Sequence, residues 1–397
     1  MSWRDITLGA LCAEGGGGIQ TGPFGSQLHA ADYVLDGVPS VMPQNIGDNV
    51  IDERGIARIT PDDAARLEKY LLVEGDIVYS RRGDVEKRAL VRAHNEGWLC
   101  GTGCLRVRVG DSSRADARFV SYLLGVPETR GWISRHAVGA TMPNLNTKIL
   151  SSVPLRVPSI TRQRAIAEVL GALDDKIAAN NKIALTADAL VRADYLGLRR
   201  DHRIPVGQLV MHRREAVDPR NLEPETNYVG LEHVPRRSMW MSDSGIASTI
   251  TSDKSKFSEG DILFGKLRPY FHKVIYASTS GICSTDIMVL EPSAAKFSGF
   301  ALAALASDEV VAEVTAASEG TRMPRTNWKD LAAVEVRWPG DDLASEFSTR
   351  VNVIRDSAVS YIAESRKLAE LRNTLLPELM SGRLRVKDAE KKIEEVV

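Results

Sequence analysis

No proline falls between Pro158 and Pro205, and the residues between them set apolar side chains at three- and four-residue steps. Ile166, Leu170, Leu173, Ile177, Ala184, Ala187, Val191 and Leu198 form a seam along one face of a long helix over about Thr161–Arg200. The outer face carries Arg162, Arg164, Glu168, Lys176 and Lys182. A typical globular helix has about 12 residues, so a seam this long and narrow calls for a partner helix. The chain supplies one over Leu343–Leu379, where Phe347, Val351, Ile354, Ala358, Tyr361, Leu368, Leu375 and Leu379 repeat the spacing. Asn180 falls in the first seam, where a polar residue fixes register at some cost in stability. Two independent amphipathic helices, each on its own domain, are the plainer alternative, and the length of both seams weighs against it.

A chain of 397 residues holds two or three domains. No apolar run approaches the roughly 20 residues of a membrane helix, and Trp3, Arg4 and Asp5 stand where a signal segment would be apolar. The four cysteines are too scattered for a disulfide framework. Cys100 and Cys104 lack a second metal-ligand pair and read as buried thiols; the expected location is cytoplasmic. A net charge of −1 argues mildly against a nucleic-acid binder, unless basic residues gather on one face or a partner contributes charge. Gly15–Gly18 lacks the strand–glycine–helix context of a phosphate cradle and reads as a loop. The seven histidines have no metal-ligand spacing.

The chain is also an ordered repeat. Val206, Gly207 and Leu209 echo Leu8, Gly9 and Leu11, and Cys283 and Thr285 echo Cys100 and Thr102. Glu74-Gly75-Asp76 and Glu259-Gly260-Asp261 each make a tight turn into a strand. Gly139, Met142, Pro143 and Asn146 return as Gly320, Met323, Pro324 and Asn327, at a constant offset of 181 (324 − 143). A long helix follows each copy. This is duplication of a domain plus a helix, not a short solenoid repeat. The organisation expected is a first domain at 1–157, a central helix at 158–200, a second domain at 201–339, and a C-terminal helix and tail at 340–397.

The paired Glu-Gly-Asp turns, the paired Met-Pro loops, the helix opening Gln163-Arg164-Ala165-Ile166-Ala167 and the run Leu375-Leu376-Pro377-Glu378-Leu379-Met380-Ser381-Gly382 together resemble the specificity subunits of type I restriction–modification systems. The resemblance covers nearly the whole length. It departs at the second helix, which opens with Asp341-Asp342-Leu343. It implies an α/β (α+β) fold, with two similar target-recognition domains separated by two long helices that form an antiparallel coiled coil, as an internal pseudo-two-fold repeat. Each domain would read one half of a split, asymmetric sequence in double-stranded DNA. The helices would hold two modification subunits, with Ile166, Leu170, Leu173, Ile177, Ile354, Tyr361 and Leu368 as candidate subunit contacts, and restriction subunits would join them. S-adenosylmethionine, ATP and magnesium would then sit on the partners, and this chain would carry no catalytic centre and no metal. The residues agree: there is no Asn/Asp-Pro-Pro-aromatic tetrapeptide, no glycine-rich cofactor loop and no P-loop, and Asp84-Val85-Glu86-Lys87 only faintly approaches a nuclease motif. Seams of about 33 residues, at about 1.5 Å each, would span about 48 Å and set the gap between the half-sites.

Base reading needs matched donors and acceptors, and phosphate contacts need cations. The candidates in the first domain are Thr21, Phe24, Ser26, Gln44, Asn45, Arg81, Arg82, Lys87, Arg88, Thr141, Asn144, Asn146 and Lys148. In the second they are Arg236, Arg237, Lys266, Arg268, Tyr270, His272, Lys273, Arg322, Arg325 and Asn327. Taken one at a time, such residues are as readily solvated surface or turn formers; as units, the loops 139–148 and 320–329 point to DNA. A scaffold with two α/β domains on a coiled coil and no DNA role is the alternative. An enzyme using Glu74/Asp76 and Glu259/Asp261 is disfavoured, since chain reversal explains those turns.

Overall fold

The computed structural model describes residues 3–24, 27–139, 142–198, 202–250, 252–318 and 323–395. The chain forms two compact units, Met1–Asp175 with Ala369–Val397, and Lys176–Leu368. The two long helices, Ile160–Gly197 and Asp341–Ser381, each give a segment to both units.

The first unit is built on an antiparallel sheet whose neighbours run Gly16–Thr21, Cys104–Gly110, Ile77–Ser80 and Arg88–Leu90, with Asp48–Asn49 added in parallel at the edge. The glycine run is thus an edge strand rather than a loop. A Cβ on Gly17 would lie 2.0 Å from the Arg108 carbonyl oxygen, so the close backbone approach requires glycine there. A second sheet pairs Val38–Val41 in parallel with Leu99–Cys100. In the second unit the equivalent sheet runs Val210–Arg213, Ile287–Pro292, Ile262–Gly265 and Val274–Tyr276, and Asn227–Val229 pairs in parallel with Gly281–Cys283. The registers repeat as well as the strands. Ile77 faces Val107 as Ile262 faces Leu290, and Val41 faces Cys100 as Val229 faces Cys283.

The Glu-Gly-Asp turns have a structural cause in both copies. Gly75 and Gly260 take positive φ of 86° and 95°. The aspartate side chain then closes the turn, Asp76 accepting from the Val73 N–H at 3.0 Å and Asp261 from the Ser258 N–H at 2.7 Å. Both carboxylates are buried, so neither is placed for acid–base work on a substrate.

Each unit grips its helix segments with buried polar contacts. In the first, Gln163 at the helix opening is 2% exposed; its side chain accepts from the Asp116 N–H and donates to the Pro158 carbonyl. Asp174 accepts from the Tyr122 hydroxyl and from Arg372, which ties the first helix to the second. In the second unit Asp188 accepts from the Met239 N–H and Arg192, and Trp240 donates its indole N–H to the Ala184 carbonyl. Ala184, Ala187, Val191 and Tyr195 join one core with Phe300, Phe347, Val351 and Ala358. Asn180 meets Glu364 at 2.7 Å, while Tyr195 lies against Phe347, so the helices run antiparallel there. Asn180 is 1% exposed and takes the register-fixing place its seam position implies. No described helix is long and apolar enough to cross a membrane.

Candidate nucleic-acid interface

In each unit the structure ties together two loops far apart in sequence. In the first, the turn after Ile77–Ser80 meets the Met-Pro loop: the Leu145 N–H donates to the Arg81 carbonyl at 2.8 Å and the Gly83 N–H to Pro143 at 3.1 Å. In the second, the turn after Ile262–Gly265 meets the other Met-Pro loop: the Thr326 N–H donates to Lys266 at 3.0 Å and the Arg268 N–H to Pro324 at 2.7 Å. The four partners correspond one to one, at offsets of 185 (266 − 81, 268 − 83) and 181 (326 − 145, 324 − 143). Gly83 and Arg268 also share a left-handed backbone, at φ 74° and 50°. Arginine is costly in that conformation, and the repeated bond to the proline carbonyl holds it there.

The loop pair of the first unit presents exposed Arg82 and Lys87, the latter 3.1 Å from Asp84, beside half-buried Arg81 and Asn144 and exposed Lys148. Thr21 sits opposite Leu105, whose other neighbour is Tyr79, so it reaches the same end of the sheet. Phe24 is 58% exposed and Gln44 is exposed as well. In the second unit the Arg236 guanidinium lies 3.8 Å over the Phe271 ring, Arg268 lies 5.7 Å from it, and Tyr270 packs edge-on against it. Arg325 pairs with Asp286 and Arg237 with Asp308. Lys266 donates to the Thr285 carbonyl at 2.7 Å, and burial pushes its ammonium below its usual range. Lys273 donates to the Leu231 carbonyl.

Several sequence candidates serve the fold instead. Asn45 is 1% exposed and closes its own turn, accepting from the Met42 N–H and donating to the Asp52 carbonyl. Arg88 is 4% exposed and is spent on the Ser121 carbonyl and Asp48. His272 is 2% exposed, with Nε2 2.7 Å from the Ala306 carbonyl; burial pushes its pKa down. Asn146 and Asn327 cap the short helices Thr147–Ser151 and Trp328–Ala333, accepting from the Ile149 and Asp330 N–H groups, which explains their repetition without DNA. Ile166, Leu170, Leu173 and Leu368 are buried by the chain itself, which removes them as contacts for another subunit; Ile177, Ile354 and Tyr361 are half-buried. Ser26, Thr141 and Arg322 lie outside the described residues.

A family model for the type I restriction modification DNA specificity domain matches residues 38–187. The specificity subunit of the type I restriction enzyme MjaVIII from Methanocaldococcus jannaschii is 24% identical over 172 residues, 41% of this chain and 39% of that protein. The EcoDI specificity subunit from Escherichia coli is 30% identical over 90 residues, 23% of this chain and 20% of that protein. The aligned stretches thus span less than half the length of these curated relatives. The crystal structure of the type I restriction–modification S subunit from M. genitalium has the same fold, with a TM-score of 0.58 at 16% identity, covering 96% of both chains.

Within the second copy of the repeat, the chain holds a cleft of about 510 Å³ that residue type alone only partly foretells. Lys266, Arg325 and Asn327 line it, joined by His212, Arg213, Arg214, Lys254 and Trp328. Arg213, Arg214, Lys254, Lys266 and Arg325 outnumber Glu215 and Asp253 there, so basic residues do gather locally in a chain of near-zero net charge. Arg214 is exposed and donates to Nδ1 of His212 at 3.2 Å, which fixes that nitrogen as an acceptor. Burial, then Arg214 and Lys266, depress the His212 pKa. The adjacent Arg213-Arg214 pair was the available signal; its place at the end of the strand Val210–Arg213, in one cleft with Arg325 and Thr326, was not legible without the sheet order.

Proposed function

We propose that this chain is the DNA-recognition subunit of a type I restriction–modification complex. Its two recognition units would each read one half of a split, asymmetric site in double-stranded DNA. The observation that carries the reading is the duplicated loop pair, in which a basic turn and a Met-Pro loop are joined by the same backbone bonds in both halves. The specificity-domain match over residues 38–187 and the likeness to two specificity subunits support it. The chain itself performs no chemistry in this reading. It directs methylation and cleavage by two modification subunits and by restriction subunits, in the cytoplasm, with S-adenosylmethionine, ATP and magnesium held by those partners. Local basic clusters answer the objection from neutral charge, since phosphate contacts depend on nearby cations rather than on the sum.

Methylome sequencing of a host with and without the chain and its partner subunits tests this: a split methylated motif should appear only with the chain. Replacing residues 1–157 by another such domain should change one half of the motif and leave the other intact. If no motif depends on the chain, the DNA reading is wrong; if both halves change, the modular reading is.

A further inference from the structure

Met142 and Met323 are 61% and 57% exposed, at matching places in the two copies of the repeat. Single exposed apolar residues are ordinary; these two differ in how they are held. Each precedes a proline, which confines the methionine backbone to extended conformations. The carbonyl of that proline is bonded in both units, to the Gly83 N–H and to the Arg268 N–H. In the first unit the loop is closed on its other side by Val138 and Asn144, which exchange N–H···O bonds of 3.0 and 2.8 Å. Asn144 also bridges to Arg82, and Arg325 bridges to Leu267, so each methionine stands within two residues of a position joined to the basic turn. The result is a flexible, polarisable apolar side chain exposed to solvent, two residues from a position joined to the basic turn.

We infer that Met142 and Met323 are apolar wedges that enter the DNA base stack, one in each half-site. The inference rests on the DNA-recognition reading above and names how that surface engages its substrate. Cations flanking the loop would hold the phosphates on either side, and the thioether would fill the gap where two bases separate, restoring part of their stacking. An unbranched side chain suits a narrow gap between planar rings. The repeated bonds would place both wedges in the same relation to their own basic turn.

The test uses the chain assembled with its modification subunits and duplexes carrying the methylome-defined motif, with 2-aminopurine placed in turn at each half-site and flanking position except the methylated adenine and its neighbours, which a methyltransferase unstacks by flipping its target base. Wild-type complex should raise fluorescence at one step in each half-site, because 2-aminopurine brightens when unstacked. Met142→Ala should abolish the rise in one half only and Met323→Ala in the other, each weakening specific binding about tenfold, as expected for losing part of a buried methionine. Met142→Leu and Met323→Leu should keep both signals. Specific binding with no fluorescence rise at any position, or alanine variants indistinguishable from wild type, overturns the wedge and leaves DNA recognition standing. A complex with no sequence-specific binding overturns the recognition reading, and the wedge with it.

Discussion

Asp76 and Asp261 occupy the same place in the repeat, yet their replacement should have different costs. Asp76 is 1% exposed and takes two charge-assisted bonds from Arg108, at 2.7 and 2.6 Å, besides closing its turn. Asp76→Asn keeps the shape and one acceptor but leaves the guanidinium with only the Leu71 carbonyl, at 3.3 Å. Breaking a buried pair from one side costs about 3–5 kcal/mol. Arg108 is 33% exposed, and water partly compensates it, so about 2–4 kcal/mol is expected. A unit of roughly 200 residues shifts about 2–4 °C per kcal/mol, which puts the loss at about 4–16 °C. Asp261 has no such clamp. Arg213 stands 3.5 Å away and is 3.0 Å from Glu291 instead. Burial, the largest influence on its carboxyl, raises the Asp261 pKa. The native state therefore favours the protonated form, and the stability this group contributes is present in acid and lost as pH rises through the raised value. Asp261→Asn removes that penalty while keeping an acceptor for the Ser258 N–H, so at neutral pH it should change stability by less than about 1 kcal/mol. Differential scanning calorimetry of the two variants decides it. Equal losses, or a silent Asp76→Asn, would refute the argument from partner geometry.

Gln163→Ala should destabilise the first unit by about 2–3 kcal/mol, since it strands the buried Asp116 N–H and Pro158 carbonyl; a melting shift of a degree or less would contradict this. Arg325→Ala should weaken DNA binding by the assembled complex: a base contact should cost about 1–3 kcal/mol and relax one position, whereas a phosphate contact should weaken all sequences alike and lower the salt slope. Titration at several salt concentrations distinguishes them, and unchanged affinity removes Arg325 from the interface. His272 and His212 both have depressed pKa values, with burial the first cause. Their stabilising effect should therefore be lost as pH falls below the usual histidine range near 6.5. His272→Gln should flatten the pH dependence of the second unit's melting between about pH 7 and 5, and an unchanged slope would exclude His272 as a contributor.

Periodicity alone determined the long helices. A 3.6-residue apolar spacing needs no tertiary information, and Ala184, Ala187 and Val191 are buried as that spacing implies. The repeat was equally legible, because turns rely on local chemistry: glycine at positive φ and an aspartate three residues from the N–H it accepts leave the same letters wherever the turn is used. Residue type could not say which polar side chains face outward. Arg81 and Arg88 lie seven positions apart on the two sides of one turn, yet Arg88 ends against the Ser121 carbonyl, 33 residues away. Asn144 and Asn146 are both polar loop residues, but only Asn146 stands where a helix begins. The basic cleft draws Arg214, Lys254, Lys266 and Arg325 from four separate segments. Strand order sets that convergence, and strand order is fixed by long-range hydrogen bonds and core packing, which leave no mark in the residues near the site.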